Sequence, residues 1–322
     1  MPLPLSRAKP SHGNNRTLWL ASMPVFFVLL WSTGFIGAKF GLPYAEPFTF
    51  LFIRFVLTLL VLLPLMWLLK AKWPASKALW GHVAVTGLLV HAIYLGGVFY
   101  SIELGLPAGL ASLLVGLQPL LTAALALPLL GERLSFWQWL GLALGLIGIT
   151  LVLSGKLAPG EGSLFQGFGL GALGCVFAAL LGISAGTLYQ KRFCAGMPLL
   201  GGSVVQYLAA SVALGTGALL LETRDVAWTF AFAATLAWLV LGLSIAAILL
   251  LMALIRRGAA SKVASLFYLV PPLTALEAWW LFDETLGPVA LAGMAVTIAG
   301  VVMVVRGGAS TKDVSKTATT DI

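Results

Sequence analysis

Residues 119–151 read PLLTAALALPLLGERLSFWQWLGLALGLIGITL, and residues 271–303 read PPLTALEAWWLFDETLGPVALAGMAVTIAGVVM. Displaced by 152 positions, the two stretches align without a gap. Pro119 falls on Pro271, Leu121 on Leu273, Thr122 on Thr274 and Glu132 on Glu284. Further on, Leu134, Gly141, Ala143 and Gly148 meet Leu286, Gly293, Ala295 and Gly300. Upstream, the same displacement sets Ser32, Gly34 and Lys39 on Ser184, Gly186 and Lys191. One offset that holds from residue 32 to residue 300 marks a tandem duplication, and a repeat governs how every element is read.

The 322 residues are 60% hydrophobic and 9% charged, against about 25% charged in a soluble protein. This is the composition of a polytopic membrane protein. The formal net charge of +8 does not point to nucleic acid, because the basic residues are scattered singly among short loops. Cys175 and Cys194 give no disulfide framework and no metal spacing.

A helix needs roughly 20 apolar residues to cross a bilayer. On that measure ten spans are expected, at about 18–38, 46–69, 80–103, 108–130 and 136–154, then 165–188, 198–221, 233–255, 260–281 and 288–305. The first is too long for a signal-peptide core and has a repeat partner deep in the chain, so it is read as retained. The expected units are a polar tail at 1–17, a five-helix repeat at 18–154, a second at 165–305 and a polar tail at 306–322, with both tails disordered. With both termini placed inside, 15 basic residues fall in inner segments and 3 in outer ones, a strong positive-inside bias. An odd number of helices per repeat inverts the second copy. The expected fold is therefore all-α, with ten transmembrane helices in two inverted repeats, an arrangement that suits alternating access.

WSTGFIGAKFGLPYAEPFTFLFIRF at 31–55, together with the doubled patterns P-L-L-T…G-E-R-L and P-P-L-T…D-E-T-L, resembles the EamA-type branch of the drug/metabolite transporter superfamily. The likeness covers about 18–305. It implies ten helices, a central cavity lined by both halves, and usually export of small metabolites such as amino acids. Arg54 matches the family's arginine in the second helix, whereas the second repeat carries Gln206 at that position.

Several residues are candidates for the transport path. Pro119 and Pro271 fall near the centres of spans 4 and 9, where an interior proline removes a backbone hydrogen bond and kinks the helix. Interruptions at matching places in two halves point to a substrate site. Gln118 and Thr122 share a helix face, as do Thr274 and Glu277, and supply polar groups beside the two prolines. Trp31, Ser32, Tyr94, Ser184 and Tyr268 complete the substrate-binding candidates. Each also has a plainer role in helix packing or interface anchoring. Arg54 and Glu277 are ionisable residues within spans and count as coupling or gating candidates. Arg54 either locks to an outer carboxylate such as Glu46 or Glu103, the reading preferred on sequence, or attracts an anionic substrate group.

Enzyme motifs fail. Gly169-x-Gly171-x-x-Gly174 follows no strand, Ser154-Gly155-Lys156 lacks the rest of a phosphate loop, and the three histidines form no metal cluster. No cofactor and no catalytic residue is expected. The sequence reading is a secondary transporter of the inner or plasma membrane, with both termini cytoplasmic. An intramembrane lipid-modifying enzyme and a passive channel or scaffold subunit are the alternatives. Its partners are a small-molecule substrate, the lipid bilayer, and a proton or counter-substrate, without nucleic acid; a homodimer is left open.

Overall fold

The computed structural model describes residues 13–130, 134–154, 167–247, 249–250 and 267–317. Among these the chain is helical almost throughout. Helix α1 is Gly13–Gly41 and α2 is Pro47–Leu68. The third span is α3 Lys77–Gly87, a π-helical segment Leu88–Ile93 and α4 Tyr94–Glu103 in continuous succession. The fourth is divided into α5 Ala108–Val115 and α6 Gln118–Leu130. Next come α7 Phe136–Ser154, α8 Leu170–Phe193 and α9 Leu199–Leu221. Helix α10 Phe230–Ala237 runs into a second π-helical segment, Trp238–Ala247. The described chain closes with α11 Val270–Phe282 and α12 Pro288–Thr317.

Local sequence sets many of these ends. Ser76 and Thr229 are N-caps whose hydroxyls accept from Leu79 N and Phe232 N, satisfying first-turn donors. Pro47 opens α2, where its missing N–H costs nothing. Asp283, in the left-handed region at φ 54°, terminates α11.

Eight stretches among the described residues are long and apolar enough to cross a membrane, and Pro288–Val304 is a shorter apolar helix. The expected ninth span is described only from Phe267 onward. Helix α12 continues to Thr317 and α1 already begins at Gly13, so helix extends into both stretches expected to be disordered tails. Propagating an existing helix costs far less than nucleating one, and a membrane span supplies the nucleus. Trp67 at one end, and Phe230 and Trp280 at the other, are 80%, 89% and 75% exposed, in keeping with aromatic belts at two interfaces.

The duplication is visible in the packing. A side chain at Gly141 would meet the Gly300 carbonyl at 2.6 Å, and one at Gly148 would meet the Gly293 carbonyl at 2.6 Å. Gly141 and Gly293 are repeat equivalents, as are Gly148 and Gly300. Helices α7 and α12 therefore cross antiparallel, each presenting the same glycines to the other. Lipid gives no hydrophobic drive for such a contact, so backbone approach through small residues holds it. Helices α2 and α9, also equivalents, run antiparallel: Phe48 lies over Gly217, Phe52 over Gly215, and Phe55 against Tyr207 with ring centroids 5.1 Å apart. Phe55 and Tyr207 are themselves repeat equivalents, so the pseudo-twofold axis passes between them. Antiparallel crossing of equivalent helices is the relation that inversion of one repeat requires.

Candidate translocation site

The segments around Pro119 and Pro271 build the centre. Pro119 is the second residue of α6, after a turn at Gly116–Leu117, and Pro271 is the second residue of α11, after a 3-10 turn at Phe267–Leu269. The expectation of kinks within continuous helices is corrected here. Each proline stands at the start of a described helix, where its lack of an N–H is harmless, and a turn lies just before it. The two segments meet, since a Cβ on Gly116 would lie 2.8 Å from Pro271 Cγ.

Beside this junction α1 and α11 are joined. Ser32 is fully buried. Its Oγ donates to Glu277 Oε1 at 2.7 Å and also lies 2.9 Å from the Leu29 carbonyl. Thr274 Oγ1, also fully buried, donates to the Ser32 carbonyl at 3.3 Å. Glu277 Oε2 is buried with no partner. Trp31 is half-buried and packs on Phe27 and Phe267, with centroids 5.3 and 5.0 Å away. The side chain of Tyr268 lies outside the described residues.

The equivalent pair in the other half is not joined. Ser184, equivalent to Ser32, is fully buried, and its hydroxyl has no partner. Thr122, equivalent to Thr274, likewise has an unpartnered buried hydroxyl. Gln118 instead donates to Thr187 Oγ1 at 2.9 Å, linking α6 to α8. Ser32, Thr274 and Glu277 thus form one cluster, while Gln118, Thr122 and Ser184 lie on the α6–α8 side.

A third cluster surrounds Arg54, which is 5% exposed. The sequence preference for a lock to Glu46 or Glu103 is not met. Glu46 accepts from Thr223 Oγ1 at 2.8 Å and Arg224 N at 2.9 Å, and Glu103 is exposed. Those carboxylates sit at the end of the bundle, out of reach of a side chain eight residues into α2. Arg54 Nη2 instead donates to Ser244 Oγ at 3.3 Å, and its Nε has no partner. Tyr94 and Tyr207 flank it, and His91 stacks on Tyr207 at 4.5 Å. His91 also lies beside Gln206, the repeat equivalent of Arg54. Ser244 and His91 lie on the two π-helical segments, which overlap under the repeat displacement. Such segments are frequent at functional sites because they re-aim side chains out of helical register. Ser244, Tyr207 and the π segments escaped the sequence reading. The pairing of Arg54 with Gln206 by the repeat was the available signal.

At the end expected to be outer, carboxylates tie the halves together. Glu284 pairs with Lys39 and accepts the Ala108 and Gly109 N–H groups of α5 at 3.0 and 3.2 Å. Glu222 accepts Phe48 N and Thr49 N of α2 at 2.8 and 2.7 Å. Both satisfy orphan donors at helix N-termini, where negative charge is favoured.

Two equivalent multi-helix units, helices that open at matching prolines and ionisable groups held within the helices define a polytopic membrane carrier scaffold. The EamA-like transporter family model matches residues 18–154 and 170–306, once per repeat. The chain belongs to this family and is a membrane transporter rather than an enzyme. It is 28% identical to a probable amino-acid metabolite efflux pump of Salmonella typhimurium, over 88% of this chain and 94% of that protein. It is 26% identical to the uncharacterized inner membrane transporter YedA of Escherichia coli K12, over 87% of this chain and 88% of that one. A solved crystal structure with 20% identity shares the fold at a TM-score of 0.59, covering 87% of this chain and 94% of its own.

Proposed function

We propose that the protein is a secondary transporter that exports small metabolites, amino acids or related compounds, across the inner or plasma membrane by alternating access. In this reading ten helices span the bilayer, the termini are cytoplasmic, and the substrate passes the junction of the broken fourth and ninth spans. The observation that carries it is an asymmetry between equivalents. Thr274 is bonded to Ser32, while Thr122 and Ser184 are both unpartnered. Inverted repeats that exchange conformations make a contact in one half and release its equivalent in the other. The Lys39–Glu284 tie extends the closed side to the outer end. Its repeat equivalents are Lys191 and Glu132, and Glu132 lies outside the described residues. In the opposite state that pair would take the closing role at the inner end.

Export of amino-acid-like solutes is supported by the name of the Salmonella relative. A membrane location of the inner or plasma type is supported by the Escherichia coli relative. The test is counterflow in proteoliposomes preloaded with a mixture of amino acids. A carrier shows uptake of labelled solute stimulated by solute on the far side. Equilibration without that stimulation would indicate a channel and sink the proposal.

A further inference from the structure

Arg54 lies well inside α2, almost fully buried, with its Nε unpartnered and one long bond to Ser244. Among the described residues no carboxylate stands within ion-pair distance of it. Glu132, Glu161 and Asp321 lie outside the described residues, and Asp313 falls in the last turns of α12. Glu277, the acid within a span, is held by Ser32 on α1. Among the described residues, therefore, this guanidinium has no counter-ion. A buried charge without one is expensive, and in a membrane it is the usual mark of function.

The surroundings are built to receive an anion. Tyr94 and Tyr207 lie near enough to the guanidinium to interact with it electrostatically, and Ser244 accepts a hydrogen bond from one of its nitrogens. Nε–H has no partner, and with the second hydrogen of Nη2 it forms the side-on edge suited to a two-point grip on a planar carboxylate. His91 and Tyr94 are half-buried among the central helices. One fixed positive charge balances one negative charge. A dianionic phosphate would leave a net charge buried, which favours a carboxylate.

We propose that Arg54, flanked by Tyr94, Tyr207 and Ser244, is the subsite that receives the carboxylate of the carried solute. This rests on the transporter reading above and narrows it to solutes bearing a carboxylate.

The test uses the full chain purified in detergent, with propionate as probe, propionamide as its uncharged counterpart, and ionic strength held with sodium chloride. Wild type should melt about 2–4 °C higher at about ten times the propionate Kd, with no effect of propionamide or added chloride. Arg54→Met keeps an apolar stem and removes the charge. It should melt no lower than wild type and lose the propionate response. Arg54→Lys, which keeps the charge without the fork, should respond at least about ten-fold more weakly. Absence of a propionate-specific shift in wild type would overturn the subsite. So would an unchanged response in Arg54→Met, or an Arg54→Met that melts well below wild type, which would make the arginine structural. Counterflow of a carboxylate-bearing solute that survives Arg54→Met unchanged would refute the subsite and leave the transporter reading standing. Propionate binding at Arg54 in a chain with no counterflow would keep the anion site and overturn its role in transport.

Discussion

Removing the Glu284 carboxylate should open the outer end of the bundle far more than removing its ion-pair partner does. Glu284 is 12% exposed and holds two backbone N–H groups of α5, while Lys39 is 32% exposed. A hydrogen bond to a charged group contributes about 1.5–3 kcal/mol. Even at the low end, two such bonds give about 3 kcal/mol, or more than about 100-fold in the ratio of closed to open states. The favourable charge–dipole term at the helix terminus overlaps with these bonds and is not added. The ion pair is partly solvated and contributes about 0.2–1 kcal/mol, less than about ten-fold. Ser112, 2% exposed and one turn into α5, reports the opening when replaced by cysteine in a Cys175→Ser, Cys194→Ser background. Its labelling rate with an impermeant maleimide should rise by about two orders of magnitude in Glu284→Ala. In Lys39→Met it should rise by less than about ten-fold. Equal rises would mean that the ion pair, not the helix cap, holds the end. No rise in either would mean that neither does.

Other substitutions separate the two halves. Thr274→Ala should cost about 1 kcal/mol in thermal unfolding, because its hydroxyl is bonded, whereas Thr122→Val should be neutral or slightly stabilising, because its hydroxyl is not. Gln118→Ala should weaken substrate binding by about 5- to 150-fold, from about 1–3 kcal/mol of lost hydrogen bonding, with little change in melting temperature measured on the same samples. Gly148→Leu should force α7 away from Gly293 and lower stability by about 1–3 kcal/mol or more, read as a fall in melting temperature. Glu277→Gln should flatten the pH dependence of proton-linked transport without loss of expression; an unchanged profile in proteoliposomes would make Glu277 structural.

Much of this architecture was legible as sequence because the repeat is written in residue types whose physics is specific. Gly141, Gly148, Gly293 and Gly300 align because only glycine permits the crossing of α7 and α12. Pro119 and Pro271 align because both open a helix after a turn. That the break would be a turn rather than a kink was not legible, since proline suits an interior kink and a helix start by different backbone routes. The partner of Arg54 was also hidden. Pairing it with an acid is the sensible guess from charge, but reach along α2 decides against Glu46. Ser244 enters through a π-helical segment that shifts side chains out of the register a sequence reading assumes. Lys39 and Glu284 were each visible as repeat-matched charges. Their union depended on how α1 packs against α11, which no local pattern encodes.

The central claim is that the two ends open in alternation, and a reversible tether across the outer end tests it most directly. Lys39→Cys and Glu284→Cys, bridged by a short bifunctional methanethiosulfonate in the cysteine-replaced background, would hold the end of α1 to the α11–α12 connection where the ion pair now does. The account predicts that the tether abolishes counterflow and that reduction restores it. Full counterflow through completely tethered protein would contradict it.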